Sequence, residues 1–143
     1  MTATPQAAAL TADELEFLHG MFDLARAGET ARLVGYVEEG LPVDLTNGAG
    51  DTLLILAAYH DHPGTVRALL EHGADHARVD DRGQTALAAA VFRRSPASVA
   101  SLLAAGADPD HGGRSARQVA DFFGLDDMTA LLPPAGDPGR AGR

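Results

Sequence analysis

Three features of this chain predict an all-α solenoid of stacked helix-turn-helix pairs with hairpin-like fingers. The phrase Leu69-Leu70-Glu71-His72-Gly73-Ala74-Asp75 returns further along the chain as Leu102-Leu103-Ala104-Ala105-Gly106-Ala107-Asp108. Thr52 and Thr85 stand at the same interval, as do Gly40 and Gly73. Between these fixed letters, two short helical patterns alternate with a turn-rich extended stretch. A period of about 33 residues means that each unit buries its apolar face only against its neighbours. In such an array the function is expected in the exposed side chains that vary from unit to unit.

Composition agrees with one soluble domain large enough to bury a core. Of 143 residues, 45% are hydrophobic and 22% charged, but only 5% are aromatic and Trp is absent. The core must therefore be built from Ala, Leu and Val, which suits thin, closely packed helix pairs. Without cysteine there is no disulfide framework, thiolate metal site or thiol nucleophile. Met1 to Leu10 lacks the basic flank and apolar run of a secretory leader. No apolar stretch approaches the ~20 residues that span a bilayer. A cytoplasmic protein with no membrane association is the expectation. The formal charge of −9 repels phosphate backbones and argues against nucleic acid as a partner. All eleven basic residues are Arg, which fits codon bias and carries no functional reading.

The elements follow in order. Residues 1–10 are expected to form a flexible tail. Thr11-Ala12-Asp13-Glu14 has the spacing of a capping box. Phe17, Leu18, Met21, Leu24 and Ala25 then make one apolar helical stripe that ends at Gly28. A second helix runs from about Thr30 to Glu39, with Leu33, Tyr36 and Val37 inward. After Gly40, the stretch Leu41 to Gly50 contains Asn47-Gly48, a hairpin-like turn signal. Thr52 opens a helix to about Tyr59, Asp61-His62-Pro63-Gly64 turns the chain, and the next helix runs to His72. The same sequence of elements recurs from Ala74, with a helix from Thr85, a turn at Arg94-Ser95-Pro96 and a helix ending before Gly106. A shortened version follows, with helices from Ser115 and after Gly124, and Pro133-Pro134 stops it. The expected division is a cap at 11–40, repeats at 41–73 and 74–106, a C-terminal cap at 107–132, and a disordered tail at 133–143.

Asp80-Asp81-Arg82-Gly83-Gln84-Thr85-Ala86-Leu87-Ala88-Ala89-Ala90, followed by Val99 to Asp108, resembles the ankyrin repeat. Asn47 to Ala58, Asp61-His62 and Val66 to Leu70 carry the same pattern one unit earlier. The resemblance covers about Leu15 to Leu132. Leu53, Ala86 and Ala116 stand where that family prefers Pro, and Ile55, Ala88 and Gln118 where it prefers His. Its helix-start network is therefore expected to be only partly present. Arg117 replaces a Leu that the family buries, a costly exchange inside a stack but acceptable on an open end.

The resemblance implies that a partner docks on a concave side built from finger tips and first helices. The two residues after the Ala-Ala pair of each unit then face it: Tyr59-His60, Phe92-Arg93 and Phe122-Phe123. An aromatic thus recurs at one position of three units, in a chain with five Phe and two Tyr. Aromatics flanked by Arg and His have the composition of interface hot spots. The alternative is that the rings only cover seams between neighbouring helices, and Phe123 is expected to wrap the end of the core. Candidate contact residues are Tyr59, His60, Asp81, Arg82, Gln84, Phe92, Arg93, Arg114 and Phe122. Arg93-Arg94, near Arg82 and Arg114, form a basic island that suits an acidic peptide or a carboxylate terminus, or is simply a solvated loop.

Other chemistry finds little support. His60, His62, His72 and His76 each have a repeat position that explains them, and no metal site or cofactor is expected. Glu38-Glu39, Asp80-Asp81 and Asp126-Asp127 are adjacent pairs rather than carboxylates converging across a cleft. Asp80 takes the position that organises a hairpin. Gly48-Ala49-Gly50 and Gly112-Gly113 read as turns, not phosphate cradles. The first reading is a non-enzymatic module that binds one or more proteins on the concave face. The second is a self-associating structural protein, so a monomer is expected and a homodimer is the alternative. The third is a small metal-dependent or acid/base enzyme.

Overall fold

A computed structural model describes residues 10–135. Of the expected tails, 1–9 and 136–143 lie outside the described residues. Eight helices form four antiparallel pairs: α1 (Ala12–Ala27) with α2 (Thr30–Glu38), α3 (Leu53–Tyr59) with α4 (Pro63–Glu71), α5 (Ala86–Phe92) with α6 (Pro96–Ala104), and α7 (Ala116–Phe123) with α8 (Asp126–Leu131). First helices pack on first helices, in the order α1, α3, α5, α7, and second helices make a parallel row behind them. The architecture is the expected all-α solenoid.

Each first helix starts from a hydroxyl. Thr11, Thr52, Thr85 and Ser115 hold extended backbone and accept hydrogen bonds from the amides of Glu14, Ile55, Ala88 and Gln118. The capping box of Thr11 and Glu14 is complete, and Ser115 with Gln118 makes a second. The Pro and His preferences missing from this chain are thus replaced at the last unit by Gln118, whose Oε1 accepts the Ser115 amide at 2.9 Å. Second helices α4 and α6 begin with Pro63 and Pro96 in the first turn, where no amide is needed.

The reversal between paired helices is the same in every unit. Gly28, Asp61, Arg94 and Gly124 all hold positive φ, at 73°, 63°, 55° and 64°. Left-handed backbone comes free to glycine and costs an L side chain about 1–2 kcal/mol. Gly28 has a second reason to be glycine: a Cβ there would lie 2.5 Å from the His62 ring.

Burial is greatest in the middle. Leu53 to Ala58 of α3 and Ala86 to Val91 of α5 are all buried, because each helix is covered by a neighbour on both flanks and by its own partner behind. Their alanines let backbones approach closely. Helix α1 corrects the sequence reading. Met21, Phe22, Leu24 and Ala25 are buried, but Phe17 is 45% exposed and lies edge-on to Tyr36 at 5.3 Å. The helical rise is fixed per residue, so α1, with 16 residues, outruns α3, with 7, and α3 does not cover its first turns. The expected inward positions of α2 include Leu33, fully buried, with Tyr36 packed against the core.

Arg117 lies on the last unit with only 17% of its side chain exposed. Its guanidinium bonds to Asp110 at 2.7 Å and to the Pro133 carbonyl. The charge is tolerated there because it is fully paired, not because it is open to water.

Candidate functional site

The aromatic residues of the first-helix row touch one another. Tyr59 and Phe92 stack with parallel rings, 5.8 Å between centroids and 2° between planes. The next contact is diagonal: Phe92 meets Phe123 edge-on at 5.5 Å, and Phe123 meets Phe122 at 4.9 Å. Phe123, read from the sequence as an end wrapper, is a rung of the ladder. Phe122 extends past it and is 83% exposed. Phe92 and Phe123 remain 40% and 52% exposed, so the rings cover one another only in part and leave aromatic surface to solvent. Tyr59 is partly buried and also meets His60 edge-on.

Beyond the ladder lies a pocket of about 490 Å³ lined by Gly113, Arg114, Gln118, Val119, Phe122 and Phe123. Arg114 reaches it from the last finger, which pairs with the preceding one through Gln84 and through the Arg114 amide donating to the Gly83 carbonyl. Gly113, Gln118 and Val119 are not among the contact residues that the sequence predicts. The signal for them is register alone, since they surround Phe122 on the finger and helix of the terminal unit.

The fingers hold the remaining candidates. Asn47 organises the first through its Oδ1, which accepts from the amides of Ala49 and Asp51, while Thr46 bridges Thr52. Asp80 does the same in the next finger, its Oδ1 accepting from the amides of Arg82 and Gln84 at 2.9 Å. The Asp81 amide donates to the Ala49 carbonyl and ties the two fingers together. Asp81 and Arg82 are exposed, as expected of contact residues. Gln84 is corrected: it is 7% exposed, held between fingers by the backbone bonds of its own turn, and is withdrawn from the surface.

Two carboxyl groups meet inside this finger stack. Asp51 and Asp80 are buried and within hydrogen-bonding reach, and Asp51 Oδ1 has no N–H donor of its own. Burial, the hydrogen bond to Asp80 and repulsion from it push Asp51 up to about 6, with Asn47 and Arg82 offsetting part. Burial pushes Asp80 up as well, but the bonds from Asp51 and from the Gln84 and Arg82 amides outweigh it and hold Asp80 low. A proton on Asp51 is what the neighbouring Asp80 carboxylate favours. Arg82 stands over both, 3.4 Å from Asp80 and 4.0 Å from Asp51.

The basic island of the sequence divides. Arg94 bonds Asp127 at 2.8 Å and Arg82 is engaged with Asp80 and Asp51. Among the described arginines, Arg26, Arg67, Arg78, Arg82, Arg94 and Arg117 have carboxylate partners. Arg93 follows Phe92 on the ladder and Arg114 lines the pocket, and neither has a carboxylate partner among the described residues. His60 is exposed; partial desolvation and the charges of Arg26, His62 and Arg93 hold its proton affinity below the usual value.

Three other histidines are tied to backbone. His62 Nε2 donates to the Arg26 carbonyl at 2.7 Å, His111 Nε2 to Ala77 at 2.8 Å, and His72 Nδ1 to Ala68 at 2.9 Å. No group of three or more His, Asp or Glu among the described residues is arranged to hold a metal ion. No helix among them is long and apolar enough to cross a membrane.

A family model of ankyrin repeats in three copies matches residues 21–112. The chain belongs to the ankyrin repeat family. An ankyrin repeat protein of Pseudomonas aeruginosa is 48% identical over 67 residues, which make up 47% of this chain and 39% of that relative. The chain thus matches well under half the length of this relative. Ankyrin repeats are generally protein–protein interaction modules without catalytic activity.

Proposed function

We propose that this ankyrin repeat chain is a non-enzymatic binding platform that holds a partner protein across its first-helix row and finger tips. One observation carries the reading: Tyr59, Phe92 and Phe123 form a continuous contact series that leaves aromatic surface exposed, in a chain poor in aromatics. Exposed apolar rows are where partners dock, and aromatics with Arg supply most hot-spot energy. The rings rest on α3, α5 and α7, helices fixed by neighbours on both flanks or by a pair behind, so little ordering entropy is lost on binding. Phe122, His60, Asp81, Arg82, Arg93 and Arg114 surround the row and set orientation; Gln84, buried, takes no part. Affinity capture from the native host, with the wild-type chain and with Tyr59→Ala/Phe92→Ala, tests this. Loss of specific co-purifying proteins from the double variant is expected, and equal recovery by both chains overturns it.

A further inference from the structure

The arginines are unequally satisfied. In a chain with twenty Asp and Glu against eleven Arg, a guanidinium is expected to find a carboxylate, and six of the described ones do. Arg32, Arg93 and Arg114 do not, and two of these three flank the aromatic ladder. Arg93 succeeds Phe92, and Arg114 shares the pocket with Phe122 and Phe123. Unsatisfied forks beside exposed rings leave a place for carboxylates.

The pocket supplies the apolar half of the recognition. Val119, Phe122 and Phe123 form its apolar lining, and its volume of about 490 Å³ suits one or two large side chains. The charge of −9 does not oppose an acidic occupant at this place, because exposed charges beyond about 8 Å are screened at physiological salt while adjacent guanidiniums are not.

We propose that the occupant of this face is an acidic linear segment of a partner protein, with an apolar side chain seated between Arg114 and Phe122/Phe123 and its carboxylates on Arg114 and Arg93. The inference rests on the binding-platform reading above and specifies its ligand chemistry.

Panning a random dodecapeptide phage library over the immobilised full chain, followed by fluorescence anisotropy of the most enriched labelled peptide, tests the proposal. The expected consensus carries two or more Asp or Glu close to one aromatic, Leu or Met residue. Arg93→Gln/Arg114→Gln, two exposed positions whose side chains have no carboxylate partner among the described residues, is expected to weaken that peptide by about tenfold to a hundredfold. Raising salt from about 50 to about 200 mM is expected to weaken wild-type binding more than that of the double variant. Acidic peptides indifferent to the two Gln substitutions overturn the proposal. Neutral or basic peptides that still require Phe92 overturn it while leaving the platform standing. If no peptide depends on Phe92, both readings fall. A concentration-dependent dimer in sedimentation, abolished by Phe92→Ala and with no peptide enriched, makes a second copy the occupant instead.

Discussion

The rings of Tyr59 and Phe92 lie parallel within 2°, though one full repeat of chain separates them. Their alignment is the repeat period made visible in side chains, since each occupies the last position of its first helix. Contact in register, with part of each ring left to solvent, distinguishes the ladder from the core. Phe92→Ala is therefore expected to cost only about 1–2 kcal/mol of stability, from its ring contacts and the part of the ring that is buried. Leu87→Ala, earlier on the same helix and fully buried, is expected to cost about 2–5 kcal/mol. Urea denaturation of the two variants checks the contrast; equal losses would place Phe92 in the core.

Asp51 and Asp80 make the stack sensitive to pH. Asp51 has a folded pKa of about 6 against 3.8 for the free group, so the stability it contributes is complete below about pH 4 and is lost as pH rises through 6. Asp80 has the opposite sign, its contribution present above about pH 4 and lost below. Asp51→Asn keeps a donor facing Asp80 without the titration. It is expected to raise stability by about 1–3 kcal/mol at about pH 7.5 and to change little at about pH 4.5. Chemical denaturation at the two pH values reads the difference, and a destabilised variant at the higher pH rules the shared proton out.

Asp61 holds the left-handed turn that glycine holds in the first and last units. Asp61→Gly is expected to raise stability by about 0.5–1 kcal/mol, relief of backbone strain less the greater entropy of the unfolded chain. Arg94→Gly, at the equivalent turn, is expected to gain less because it removes the bond to Asp127. Thermal unfolding midpoints rank the two, and the reverse order counts against the strain argument.

His62 closes α1 from the neighbouring unit by donating to the Arg26 carbonyl. Removing it in His62→Ala is expected to cost about 1–3 kcal/mol, because a part-buried carbonyl loses its donor. Gly28→Ala is expected to be destabilising as well, through positive φ and the His62 ring. Its cost is expected to shrink in the His62→Ala background, since only the backbone term remains. A double-mutant cycle measures that coupling, and strict additivity would remove the steric part.

The scaffold was readable because its determinants are local. Thr52, Thr85 and Ser115 cap helices wherever they occur, and Pro63 and Pro96 start them, so caps and turns announce the units. Register also brought Tyr59 and Phe92 together in advance. Phe123 escaped because a diagonal contact depends on how far α7 is displaced from α5, which spacing does not contain. Finger position alone points Gln84 outward, yet pairing with the next finger buries it. The island of Arg93, Arg94, Arg82 and Arg114 looked uniform because partners such as Asp127 and Asp80 are brought in only by folding. Phe17 shows the same limit: its stripe was correct, but the shortness of α3 decides whether anything lies against it.

Because every pair of helices leans only on the pairs beside it, the last pair, α7 with α8, is supported from one side. That pair carries Phe122 and Phe123, while Phe92 belongs to the doubly supported interior. An occupant bridging Phe92 and Phe122 would act as a splint across this joint. Part of its binding free energy would then appear as slower amide exchange in α7 and α8, and the end of the molecule would stiffen in proportion to occupancy.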